Sequence, residues 1–87
     1  MPRYLVTYNI VSQKSGAEMA LTEKLKSLAA KKLFLGLGLW LLKSERDAED
    51  LRNKLMVFID LAKDGLVVIE MTDNAAFRNP DINPFDL

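Results

Sequence analysis

Apolar residues in this chain recur at two different spacings, and between the spaced segments lies one continuous apolar block, positions 33–42 (LFLGLGLWLL). Ten residues are about half of what a helix needs to cross a ~30 Å hydrocarbon core, and lysines flank the block on both sides, so protein rather than lipid must bury it. Two glycines within three residues would cost a helix roughly 1 kcal/mol each, which favours sheet over helix here. Gly36 and Gly38 allow one long bulged strand or a tight hairpin bending at 36–38; the hairpin is preferred. Trp40 is then expected in the sheet interior.

Positions 4–11 (YLVTYNIV) alternate aromatic, β-branched and polar side chains between Pro2 and a polar stretch, the pattern of a strand. Both of its faces are at least half apolar, which predicts a central place in a sheet. Positions 17–32 carry Ala17, Leu21, Leu25, Leu28 and Ala29 at helical spacing, an amphipathic helix. Ser44 and Asp47 resemble a capping box, and Glu45, Asp47, Glu49 and Asp50 place negative charge in the first turns of a second helix. Its stripe is Ala48, Leu51, Leu55, Phe58, Ile59 and Ala62, ending at Gly65 in the left-handed conformation. An Asp50–Lys54 pair lies four residues apart on it. Positions 66–72 (LVVIEMT) form the last strand, and the two Asn-Pro steps that follow read as turn and extended tail. Phe77, Ile82, Phe85 and Leu87 give that tail enough apolar surface to dock on this protomer or another.

Strand, helix, hairpin, helix, strand is the order βαββαβ. Right-handed crossovers of two split βαβ units predict an α+β, ferredoxin-like sandwich, a four-stranded antiparallel sheet with two helices on one face. The expected boundaries are a domain over 1–77 and a tail over 78–87. Because the first and last strands are apolar on both faces while the helices cover one, a second copy packed by a two-fold is the expected cover, and a homodimer is predicted.

Composition narrows the chemistry. The 87 residues contain neither cysteine nor histidine, which removes disulfides, thiolate metal sites and the commonest general base and zinc ligand. Twelve Lys and Arg balance twelve Asp and Glu, without the global basic excess of nonspecific nucleic-acid binders. The balance is uneven locally: Lys14, Lys24, Lys26, Lys31 and Lys32 face only Glu18 and Glu23 between positions 12 and 34. Two readings of this cluster stand, a helix C-terminus compensated against its dipole and a phosphate-contacting face made by Lys24, Lys26, Lys31 and Lys32. The N-terminus has no apolar segment followed by a cleavage site, so a cytoplasmic place and no membrane association are expected.

The segments YLVTYNI, LWLLKS, AEDLRNKL and LVVIEMTDNAAF, in this order and spacing, resemble the SinR-like branch of the small CRISPR-associated proteins of the second family, over about residues 3 to 77. The resemblance implies a ferredoxin-like homodimer, with a more distant likeness to VapD-type toxins. Some relatives are metal-dependent endonucleases whose Asp ends the first strand and faces its dimer mate. Here Asn9 occupies that position, next to Tyr8, and the family's Ser-Thr pair falls on Gly38 and Leu39. A neutral amide is a poor magnesium ligand, so no metal site and no catalytic residue are assigned. Three functions follow: a nuclease-inactive, CRISPR-associated-like dimer acting as a binding or scaffold module; a magnesium-dependent endonuclease whose carboxylates have moved to Asp60, Asp64, Glu70 and Asp73; and a small protein-interaction module with no nucleic-acid role. No cofactor is expected, magnesium entering only with the nuclease.

Overall fold

The computed structural model describes residues 2–11, 16–36 and 38–72. Strand β1 (Arg3–Asn9) leads to helix α1 (Ala17–Leu28), strands β2 (Lys31–Gly36) and β3 (Leu39–Lys43), helix α2 (Ala48–Leu55), a 3-10 turn (Met56–Phe58) and strand β4 (Gly65–Met71). The strands form one antiparallel sheet in the order β2-β3-β1-β4. This is the expected α+β, ferredoxin-like arrangement, and β1 lies in the middle as its two apolar faces require.

Pairing sorts every strand residue onto one side. On the helix side, Val6 stands opposite Trp40 and Val68, Trp40 opposite Phe34, and Tyr4 opposite Leu42. Val6, Trp40 and Leu42 close with Leu21, Leu25 and Leu55 into the core, with Phe58, Ile59, Leu66 and Val68 packed around them. Trp40 is 9% exposed, as expected of its place in the apolar block. The opposite side presents Leu5, Leu33, Leu39, Leu41, Val67 and Ile69.

The hairpin bends where the glycines predict. Gly38 has φ +71°, and the Tyr8 amide donates to its carbonyl at 3.0 Å. A Cβ on Gly38 would stand 2.5 Å from the Tyr8 carbonyl oxygen, so glycine is required here twice over, by backbone angle and by space. A register shift between Phe34 and Gly36 adds the bulge on the β2 side.

Several boundaries differ from the sequence expectation, each for a local reason. Helix α1 stops at Leu28 rather than reaching Lys32, because the Ala30 amide donates to the Lys43 carbonyl at 2.8 Å and Lys31 already pairs with Lys43. The buried Ser44 hydroxyl donates to the free Leu28 carbonyl at 3.0 Å, and its oxygen accepts from the Arg46 amide. Ser44 is thus tied to the end of α1, and the N-cap of α2 is Asp47, whose carboxylate accepts from the Asp50 amide at 2.7 Å. Asp50 pairs with Arg46 at 2.8 Å through one carboxylate oxygen and with Lys54 at 3.8 Å through the other. The Arg46 hydrogen bond, with help from Lys54, holds the Asp50 carboxyl below its ordinary pKa.

Helix α2 ends at Leu55 instead of running to Ala62. Aspartate side chains there capture backbone amides: Asp60 accepts from Ala62 at 2.9 Å, and Asp64 accepts from Asp60 at 2.8 Å. The second Asp64 oxygen accepts from the Val11 amide at 2.8 Å, which takes Val11 out of β1. Gly65 begins β4 and is not among the described glycines of positive φ, which are Gly16 and Gly38. Lys14, the domain boundary at 77 and the expected tail lie outside the described residues.

The two hairpin glycines separate cleanly by experiment. Gly38→Ala is expected to lower unfolding free energy by about 1–3 kcal/mol through its strained backbone, with the close approach to Tyr8 adding to that. Gly36→Ala, where a Cβ meets nothing within 4 Å, should change it by less than about 1 kcal/mol. Urea unfolding of the two variants checks this, and equal losses would refute it.

Candidate functional site

Two neighbouring regions on the helix side carry the polar chemistry, and Trp40 separates them. The first is a cleft of about 230 Å³ lined by Tyr8, Asn9, Ile10, Glu18 and Gly38. Asn9 is the exposed last residue of β1, opposite Gly65. Tyr8 turns to the helix side, where Glu18 from the first turn of α1 approaches it. Burial raises the pKa of the Tyr8 phenol, and the nearby Glu18 carboxylate raises it further. The Trp40 indole acts in the opposite sense on the same phenol, although its buried Nε1 makes no hydrogen bond of good geometry.

The second region is the outer edge at β2. Phe34 lies on this edge strand 48% exposed, its ring centre 5.1 Å from that of Trp40 and tilted by 56°. Lys26 of α1 holds its Nζ 5.9 Å from the Trp40 ring centre, a cation–π contact worth about 0.5–1 kcal/mol at an exposed site. The same ammonium lies 3.6 Å from Glu23.

The four lysines of the sequence cluster are divided by this geometry. Lys32 stands opposite Leu42 and shares the helix side of β2 with Phe34, so it joins Lys26 at the edge. Lys31, one residue earlier, belongs to the other side, in a row with Lys43 and Arg3. Lys24 lies two residues from Lys26 on α1, about 200° around the helix axis, and so faces elsewhere. A helix running to Lys32 would have kept these cations on one element; the early stop at Leu28 and strand alternation part them.

The alternative carboxylates are engaged in the fold. Asp60 and Asp64 accept from backbone amides in the turn before β4. Glu70 stands opposite Tyr4 and, second to burial, raises the pKa of that phenol. Asp73 lies outside the described residues. Among the described residues no three Asp or Glu side chains gather where they could hold a metal ion, and no helix is long and apolar enough to cross a membrane.

Phe34 and Glu18 were not singled out from the sequence. Phe34 sits inside a run that reads as uniformly buried, and only the lysines just before it hint at an edge strand. Nothing in the spacing brings Glu18 to Tyr8 until α1 is docked on the sheet.

No family model matches the chain, and no curated protein matches it. Among solved structures, the chain is similar to the crystal structure of a hypothetical protein, TT1823 from Thermus thermophilus, with a TM-score of 0.66 at 24% identity over 90% of each chain. At that identity the likeness is one of fold.

The environment of the two tyrosines is open to titration. Neither Tyr4 nor Tyr8 should form tyrosinate below the ordinary value of 10.0, since both phenols are raised. Both raised values belong to the folded state, so the stability they contribute is present below about pH 10 and lost as pH climbs through the higher folded values. Replacing Glu18→Gln should bring the Tyr8 transition down towards 10, followed by tyrosinate absorbance. A Tyr8 transition unmoved by that change would place the Glu18 carboxylate away from the phenol.

Proposed function

We propose that this chain is a small homodimeric nucleic-acid-binding or scaffold protein of the CRISPR-associated-like, SinR-like kind, and that it binds without cutting. The observation that carries this reading is the placement of Lys26 and Lys32 on the helix side of the β2 edge, beside the half-exposed Phe34 that packs on the buried Trp40. Two ammonium groups beside exposed ring surface suit a phosphate backbone with accessible bases better than they suit a neutral protein partner. Asn9 supports the non-cutting half, since an amide at the end of β1 brings no charge to hold magnesium or to activate water.

The homodimer rests on the sheet side opposite the helices. Val67 and Ile69 are 47% and 51% exposed there, in rows with the apolar Leu5, Leu33 and Leu39, while Leu41 in the same rows is already fully buried. A second copy placed on this side would cover them. Because each of these two β4 side chains is already half buried, covering the rest adds about half of the ~1.5–3 kcal/mol of complete burial.

Binding is tested on one purified sample by its salt dependence. Replacing Lys26 and Lys32 together with alanine should lower the slope of log affinity against log salt by about 1 to 2, while the same change at Lys24 or Lys31 alters it less. Labelled RNA and DNA should remain intact with the protein and magnesium. An unchanged slope, or cleavage that needs magnesium, would refute the reading.

For the dimer, sedimentation at micromolar concentration should give twice the chain mass of 9.8 kDa. Ile69→Lys should convert it to a folded monomer. A wild-type monomer at that concentration removes this half of the proposal.

A further inference from the structure

Phe34 belongs to the most apolar run of the chain, yet it is one of the large side chains left half open, on an edge strand. Trp40, 9% exposed, packs against it and holds the ring from the core side. Lys32 precedes Phe34 by two residues on the same side of β2, about 6.6 Å along the strand at the usual rise. Lys26 approaches from α1 over the indole. Its pairing with Glu23 at 3.6 Å is between exposed groups and is worth at most about 1 kcal/mol, so a polyanion can displace it.

We infer that this edge is a platform for single-stranded nucleic acid, with an unpaired base stacked on Phe34 and the adjoining phosphates held by Lys26 and Lys32. The inference rests on the nucleic-acid reading above and narrows it to one substrate class. A duplex offers phosphates to both lysines but keeps its base faces stacked on each other, so it gains nothing from the ring. An acidic peptide can also reach the lysines, but it has no planar face to lay on the phenylalanine. A single strand uses both kinds of group at once, and because every base has a π-face the platform is tolerant of sequence.

The test measures fluorescence anisotropy of a labelled oligothymidylate of about 12 nucleotides, a length within the usual site sizes, and of a duplex of equal length. Wild type should bind the single strand more tightly than the duplex. Phe34→Ala and Phe34→Leu should each weaken single-strand binding about tenfold, the size of one lost base stack, with duplex affinity and salt slope unchanged. Phe34→Tyr should keep wild-type affinity. Melting curves will show whether each variant is folded, and the emission of Trp40, the chain's one tryptophan, should be quenched by the single strand. Leucine binding as well as phenylalanine, a duplex bound as tightly as the single strand, or polyglutamate competing as well as unlabelled oligonucleotide would each overturn the inference. Duplex binding with a lysine-dependent slope would overturn it while leaving the broader reading standing. Binding of neither nucleic acid would remove both.

Discussion

The helix-facing side of this sheet depends on how closely the β2–β3 turn can approach β1 at Tyr8. Gly38 meets the Tyr8 backbone with an amide-to-carbonyl hydrogen bond and with no side chain in between. That contact holds the hairpin in one register against the central strand. Strand side chains alternate with period two, so a slip of one residue would turn Trp40 and Leu42 out of the core and bring Leu39 and Leu41 in. The position of Phe34 beside Trp40, and with it the aromatic edge, follows from the same register.

Charge on this small domain is arranged by where elements end rather than by total count. The chain is neutral overall, and its lysine-rich segment spans the end of α1, a short connection and the start of β2. Ending the helix at Leu28 hands two lysines to a strand, and alternation along that strand sends them to opposite faces. A pair of cations gathers at one edge, and a separate cationic row of Lys31, Lys43 and Arg3 forms on the far face.

Much of the architecture was legible because the apolar spacing changes period at each element. Leu21, Leu25, Leu51 and Leu55, the helical stripe positions, are all fully buried, and the paired glycines marked the hairpin. Helix ends were less legible because tertiary hydrogen bonds decide them: the Ala30 amide bonds to Lys43, the Ser44 hydroxyl to Leu28, and Asp64 to Asp60 and Val11. Each joins residues whose proximity exists only once the sheet has formed or the turn has closed. The candidate site was legible only in its parts. Asn9, Tyr8 and the lysines could be named from the sequence. The grouping of Lys26 with Lys32, and the exposure of Phe34, needed the strand order.

The central place of β1 also shapes how the chain reaches this structure. Its first strand pairs on one side with Leu39–Lys43 and on the other with Gly65–Met71, so both partners are made long after it, and Asp64 adds a bond across 53 residues to Val11. Contacts this distant in sequence slow folding, because the loops must close before the pairing rewards them. During synthesis the β2–β3 hairpin can form from neighbouring residues, while β1 waits with one hydrogen-bonding edge bare until β4 leaves the ribosome. Throughout that interval the growing chain presents YLVTYN as an unpaired, β-prone segment, the stage at which it is most open to pairing with other chains.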